Sequence, residues 1–142
     1  MSGAVWAVVV AAGRGTRFGQ PYNKVFHPLD GKSVLFRCMR ALEESACFDG
    51  AVLVLSDQDE EAYRALIAGE GESPLIRARC TGGRTRQESV LNGLRLVPED
   101  AEVVLAAAQG TALIFAAEDG AAEACLRISR RLRGDYIPLM KL

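Results

Sequence analysis

The 142-residue sequence has no excess of either charge, since 17 lysines and arginines stand against 18 aspartates and glutamates. Nucleic-acid-binding domains usually carry a clear basic excess, so this balance argues against a nucleic-acid partner. No apolar run approaches the roughly 18–20 residues that a membrane-spanning helix needs. The first apolar run also lacks the basic flank of a signal peptide. These absences predict a cytoplasmic protein that acts on neither nucleic acid nor membrane.

Side chains that could hold a metal are also sparse. The four cysteines form no Cys-x-x-Cys pair, and no histidine is near them in the sequence; they are Cys38, Cys47, Cys80 and Cys125. This scatter is typical of reduced cysteines that pack inside a cytoplasmic protein. The single histidine, His27, is interpreted as structural or solvated. We therefore predict neither a disulfide nor a protein-held metal centre.

Apolar runs rich in β-branched residues alternate with segments of helical periodicity. Strands are predicted over 4–11, 51–55, 75–80 and from Glu102 onward. Helices are predicted over 33–46, over 58–68 and after Thr85, which has capping-box spacing to Glu88. This order predicts an α/β fold, a doubly wound parallel sheet. Because residues 106–142 show no further strand of this kind, the sheet is expected to be truncated after its fourth strand.

A glycine-rich segment, Ala11-Ala12-Gly13-Arg14-Gly15-Thr16-Arg17-Phe18-Gly19, follows the first strand directly. Its glycines let backbone N–H groups approach a ligand and form a concavity suited to phosphate, although a plain tight turn would also explain them. The spacing matches neither the dinucleotide fingerprint nor the P-loop. Arg17 and Lys24 are cations of the kind that stabilise charge on a reacting phosphate. Arg14 is interpreted as a solvated charge.

A second motif, Gly82-Gly83-Arg84-Thr85-Arg86-Gln87-Glu88-Ser89-Val90-Leu91-Asn92-Gly93-Leu94, lies after the third predicted strand. Together with the first motif and with Asn23-Lys24-Val25-Phe26, it gives residues 4–105 a specific resemblance. The chain resembles the 2-C-methyl-D-erythritol 4-phosphate cytidylyltransferases, which are nucleotidyltransferases with a Rossmann-like fold in the non-mevalonate isoprenoid pathway. We accordingly divide the chain into a nucleotide-binding α/β domain, residues 1–105, and an atypical C-terminal tail, residues 106–142, with helical periodicity over 116–132.

The resemblance implies a reaction and a set of site residues. CTP and a sugar-alcohol phosphate would give a CDP-linked product and pyrophosphate, with Mg²⁺ bound together with CTP. Arg17 and Lys24 would be the catalytic pair that stabilises the pentacoordinate α-phosphate. Backbone groups near the first loop would contact cytosine and phosphates, and the second motif would read base and ribose. The nucleotide-binding residues implied in this way are Ala11, Ala12, Gly13, Gly83 and Ser89.

Residues 106–112 depart from the family's pattern. Where the family has a His-Asp-x-Ala-Arg-Pro segment whose aspartate serves metal and substrate binding, this chain has Ala-Ala-Ala-Gln-Gly-Thr-Ala. The later acceptor-binding residues and the arm through which the family forms homodimers are also missing. We therefore expect impaired activity. The departure fits a truncation, a divergent relative or a shifted reading frame after Leu105. We favour a shifted frame or a degraded gene, which the nucleotide sequence around codon 106 would test.

Other functions stay open at this point. A non-catalytic nucleotide-binding remnant would keep the glycine loop and lose turnover. A ribitol 5-phosphate cytidylyltransferase would differ in the acceptor-binding residues. A dinucleotide-dependent oxidoreductase would use an acidic residue after the second strand, where Asp57 lies, but it would leave Arg17 and Lys24 without a role.

Overall fold

A computed structural model describes residues 4–12, 26–108, 111–116 and 139–141. The strands are β1 (Ala4–Ala11), β2 (Pro28–Leu29), β3 (Lys32–Ser33), β4 (Gly50–Leu55), β5 (Ile76–Thr81), β6 (Ala101–Ala108), β7 (Thr111–Ala116) and β8 (Leu139–Lys141). The helices are α1 (Val34–Ser45), α2 (Glu60–Glu70) and α3 (Arg86–Leu94), and a short 3-10 helix, Asp57–Asp59, precedes α2. The predicted strands and helices are thus confirmed to within a few residues.

Six strands form one sheet in the order β5-β4-β1-β6-β7-β8. The first four are parallel, β7 is antiparallel to β6, and β8 is parallel to β7. The doubly wound fold class is confirmed, but the sheet extends two strands beyond the fourth. The prediction missed β7 because its pairing with β6 depends on the return of the chain rather than on local apolar alternation. The helical periodicity noted over 116–132 begins at the last residue of β7, and 117–132 lies outside the described residues.

Helices cover both faces of the parallel strands. On one face, odd-numbered β1 residues such as Val5 and Val9 pack with Leu35, Met39 and Tyr63 from α1 and α2. On the other face, Val8 and Val10 of β1 lie in a cluster with Val52, Val54 and Val104, against which residues of α3 and the turn after it pack. Strand β4 is buried along all six residues, as a central parallel strand covered on both sides should be. Within the described ranges, no helix is long and apolar enough to cross a bilayer.

Strands β2 and β3, which follow residues 13–25, form a hairpin that is hydrogen-bonded to α2. Ser33, 1% exposed, caps α1 by accepting the Phe36 N–H at 3.0 Å. Its own N–H and hydroxyl donate to the two carboxylate oxygens of Glu70, at 2.7 and 2.8 Å. The Val34 N–H also donates to the His27 carbonyl oxygen at 3.0 Å. These bonds fix the chain immediately after the segment that contains Arg17 and Lys24.

Helix α3 approaches the sheet unusually closely at Gly93. A Cβ atom added there would overlap Cγ1 of Val8 and lie 2.9 Å from Cγ2 of Val54. Both valines are in the core, so neither can move away freely. Close packing of α3 on β1 and β4 therefore requires glycine at this position.

We expect Gly93→Ala to lower the free energy of unfolding by about 1–3 kcal/mol through overpacking. Gly69→Ala is the matched control, because Gly69 is also helical and an added Cβ meets nothing within 4 Å. That control should be neutral or stabilising by up to about 1 kcal/mol. Urea denaturation of both variants checks this, and equal effects of the two substitutions would contradict the close approach of α3.

Candidate functional site

The parallel strands place Ala11 and Ala12, which begin the first motif, at the same edge of the sheet as the start of the second motif. From β1 the chain passes to β4 and β5 on one side and then returns to β6 on the other side of β1. In open α/β sheets, ligands bind outside the carboxyl ends of the strands where the order reverses in this way. The first glycine motif follows the carboxyl end of β1, and the second follows the carboxyl end of β5. The topology therefore assigns the candidate site to this edge.

Gly82 brings the second motif into contact with the end of β1. Its N–H donates to the carbonyl oxygen of Leu55 at 2.8 Å, so the chain leaving β5 continues alongside the end of β4. Leu55 is the register partner of Ala11, the last residue of β1. A Cβ added to Gly82 would overlap Cβ of Ala12 and lie 2.8 Å from Oγ of Ser89. Only glycine permits these three elements to meet.

Side chains of α3 bind the backbone of the turn that precedes the helix. Ser89 is 3% exposed, and its Oγ accepts the Gly83 N–H at 3.1 Å. The carboxylate of Glu88 accepts the Arg84 N–H at 2.6 Å. Thr85 caps the helix by accepting the Glu88 N–H at 3.1 Å. The predicted capping box is present in part, because Glu88 reaches the N–H one residue before the cap.

The structure brings together four of the seven predicted site residues. Ala11 and Ala12 end β1, while Gly83 and Ser89 are joined by a hydrogen bond beside them. Ala11 is 2% exposed, so its contribution to a ligand would be through the backbone. Gly13 and the catalytic candidates Arg17 and Lys24 lie outside the described residues. Asp57, the acid considered for a dinucleotide site, is exposed at the start of the 3-10 helix after β4.

Sequence reasoning missed three residues that shape this edge. The Gly82–Gly83 pair predicts only a turn, yet Gly82 makes the contact with Ala12 and Ser89 possible. Glu88 was interpreted only as a helix cap, and Asn92 was given no role. The amide nitrogen of Asn92 donates to the carbonyl oxygen of Thr81 at 3.1 Å, fixing the end of β5. The spacing of Glu88 and Asn92 on one side of α3, four residues apart, is the signal that could have found them.

Metal-ligating side chains are not gathered at this edge in the described part of the chain. Among residues 4–12, 26–108, 111–116 and 139–141, no group of three or more His, Cys, Asp or Glu side chains is placed to hold an ion. Strand β6 ends in Ala106, Ala107 and Ala108, which carry no side-chain oxygen for a hard cation such as Mg²⁺. The residues described therefore do not fit a protein-held Mg²⁺, and we derive no chemical step through one.

A cavity of about 150 Å³ lies elsewhere, between α1 and α2. Its wall combines apolar side chains with Glu43, Glu70 and Glu72, and Tyr63 donates a hydrogen bond to Glu72 at 2.5 Å. Burial and this bond raise the pKa of Tyr63 above its ordinary value, so the hydroxyl stays protonated. None of the described site residues predicted from sequence lines this cavity, which separates it from the candidate site.

Comparison with protein families decides between the possible relatives of this fold. The sequence model of the family described as 2-C-methyl-D-erythritol 4-phosphate cytidylyltransferase matches residues 5–130. The chain belongs to this family. The match covers both glycine motifs and continues beyond Leu105, where the motif resemblance ended.

Curated members of the cytidylyltransferase family support the assignment. A 2-C-methyl-D-erythritol 4-phosphate cytidylyltransferase of Stenotrophomonas maltophilia is 40% identical over 99 residues, which is 70% of this chain and 41% of that protein. The relative of the same description from Clostridium novyi is 39% identical over 100 residues, 70% of this chain and 42% of that protein. The chain thus spans about two fifths of the length of the curated relatives that it matches.

Solved structures resemble the fold of this cytidylyltransferase-family chain. The 4-diphosphocytidyl-2C-methyl-D-erythritol synthase of Anaerococcus prevotii superposes with a TM-score of 0.58 at 24% identity, over 73% of this chain and 42% of that one. A second structure of 4-diphosphocytidyl-2C-methyl-D-erythritol synthase gives 0.54 at 28% identity, over 75% and 46%. At 24% identity, the likeness to the Anaerococcus prevotii structure shows the fold alone.

We expect Ser89→Ala to release the Gly83 N–H from its acceptor and to lower the free energy of unfolding by about 1–3 kcal/mol. Hydrogen exchange at the Gly83 amide, followed by NMR, should become faster. Gln87→Ala, at an exposed position of the same helical turn, is the control and should leave that amide protected. Unchanged protection of Gly83 in Ser89→Ala would show that the hydroxyl is not its acceptor.

Proposed function

We propose that this chain binds CTP at the carboxyl edge of β1, β4 and β5, as the nucleotide half of a 2-C-methyl-D-erythritol 4-phosphate cytidylyltransferase site. The observation that carries the proposal is the meeting of Ala12, Gly82 and Ser89, since the two motifs are far apart in sequence and join at one edge. The family assignment and the names of the curated relatives support CTP as the nucleotide. A cytoplasmic location without a nucleic-acid or membrane partner belongs to the same proposal.

The proposed reaction is attack by the phosphate oxygen of 2-C-methyl-D-erythritol 4-phosphate on the α-phosphorus of CTP. The P–O bond to the β-phosphate breaks, pyrophosphate leaves, and CDP-methylerythritol forms. Backbone groups of Ala11, Ala12 and Gly13 would lie against the base and phosphates. Arg17 and Lys24 would stabilise the negative charge that gathers on the α-phosphate and on the leaving pyrophosphate. Mg²⁺ would arrive bound to the phosphates of CTP and neutralise part of their charge.

Turnover by this chain should be weak even where CTP binds. The end of β6, the strand next to β1, carries alanines where the resemblance calls for a histidine and an aspartate. When one of two reactants is not held, the advantage of an aligned attack is lost, and that advantage can reach about 7–11 kcal/mol. This observation favours a second candidate function, a nucleotide-binding remnant without catalysis, over a fully active enzyme. Ribitol 5-phosphate stays an alternative acceptor, because the residues that would distinguish it from methylerythritol phosphate are also missing from the resemblance.

Calorimetric titration with CTP·Mg²⁺ should give measurable heat of binding, and ATP·Mg²⁺ should give much less. A pyrophosphate-release assay with methylerythritol phosphate should give turnover far below the usual enzymatic range of about 1–10³ per second. Absence of CTP binding at millimolar concentration would overturn the proposed nucleotide site. Turnover inside the usual range would instead overturn the expected impairment.

Arg17→Ala and Lys24→Ala should each reduce residual turnover by roughly 10²–10³, with a much smaller loss of CTP affinity. The reason is that charge on the phosphates is greatest in the transition state. Arg14→Ala is the matched control, since it removes a cation of the same loop that we interpret as solvated. Parallel assays of turnover and calorimetric affinity check this, and equal losses in both would make Arg17 and Lys24 ground-state anchors.

A further inference from the structure

The turn from Gly82 to Arg84 has all three of its backbone N–H groups engaged. Gly82 donates to Leu55, Gly83 donates to Ser89, and Arg84 donates to Glu88. Within the described part of the chain, no donor is bonded to the carbonyl oxygens of Gly82 or Gly83. The backbone of this turn therefore has free hydrogen-bond acceptors and no free donor.

The Glu88 carboxylate is the acceptor for the third of these N–H groups, that of Arg84. Of the three acceptors it is the one on an exposed residue, and it reaches back from the first turn of α3 over the preceding backbone. A Cβ added to Gly83 would overlap Cβ of Glu88 and lie 2.7 Å from its Oε2. The hydrogen bond and the missing Cβ are separate observations, and both place the Glu88 carboxylate against the Gly83–Arg84 peptide.

A backbone with free acceptors and no free donor would distinguish between pyrimidine bases. Cytosine carries an exocyclic amino group, which is a hydrogen-bond donor. At the same position uracil, like thymine, carries a carbonyl oxygen, which is an acceptor. An unengaged Arg84 N–H would suit the uracil oxygen and would also attract phosphate, since helix N-termini favour anions. Because Glu88 accepts that N–H, the group is available neither to a uracil oxygen nor to a phosphate.

We infer that Glu88 is a positioning residue for nucleotide selection. By accepting the Arg84 N–H, it leaves the backbone of the Gly82–Arg84 turn with acceptors only. Such a backbone favours cytosine, which carries an amino group, over uracil, which carries a carbonyl oxygen. This inference rests on the proposed CTP site and adds a determinant of its specificity. Glu88 does not touch the reacting phosphates. It acts through the backbone of Gly83 and Arg84.

The test compares Glu88→Ala with Glu88→Gln in calorimetric titrations with CTP·Mg²⁺ and UTP·Mg²⁺. Glutamine keeps a side-chain oxygen that can accept the Arg84 N–H, so Glu88→Gln should retain the nucleotide preference. Glu88→Ala should weaken CTP binding by about 3- to 10-fold, the usual worth of one hydrogen bond, and should lower the CTP-over-UTP ratio by a similar factor. Glu61→Ala, which removes an exposed carboxylate from the first turn of α2, is the matched control and should change neither quantity.

Hydrogen exchange at the Arg84 amide supplies a readout that does not depend on nucleotide. It should speed up in Glu88→Ala and stay slow in Glu88→Gln and Glu61→Ala. If the wild type prefers CTP and Glu88→Ala keeps the full preference, the role of Glu88 is overturned while the CTP site stands. If the wild type binds neither nucleotide, the proposed function fails and this inference fails with it.

Discussion

The candidate site depends on the absence of one atom, the Cβ of residue 82. Because Gly82 has no side chain, the chain leaving β5 can continue beside β4 and touch both Ala12 and Ser89. Any side chain there would separate the end of β1 from the start of α3. The glycine contributes no side chain, and its small size sets the distance between Ala12 and Ser89. A second close approach, at Gly93, then seats α3 on β1 and β4 along the rest of its length.

This edge is built to present backbone groups rather than side chains. Ala11 and Ala12 carry no polar side-chain atom, and the Oγ of Ser89 already accepts the Gly83 N–H. A hydrogen-bond pattern made of backbone groups requires little of residue identity beyond small size and correct geometry. It does require rigid support, which comes from the fully buried β4 and from the capped start of α3. A side chain such as Glu88 can therefore matter by controlling which backbone groups remain available.

Local signals were sufficient for most of the fold and for part of the site. Ser33 and Thr85 were recognisable as helix starts because N-caps have a short-range cause, and the structure shows both accepting the expected N–H groups. Strand β7 was missed because its pairing with β6 is not encoded in local alternation. The bond from Arg84 to Glu88 was missed because capping-box spacing predicts a different N–H. The contact between Gly82 and Ala12 joins residues 70 positions apart, so no local pattern could reveal it.

In strand β6, the backbone groups that hold the sheet together differ from the side-chain groups that catalysis would need. Ala106, Ala107 and Ala108 keep parallel register with Val8, Val9 and Val10, so the backbone ladder beside β1 continues to its end. A parallel ladder needs only N–H and C=O groups, and alanine supplies both. Catalysis at the same edge needs side-chain oxygens, which alanine does not have. The edge formed by β1, β4 and β5 can therefore keep its geometry although the described end of β6 carries only alanine side chains. Under the proposed function, CTP binding and turnover would be separable for this reason.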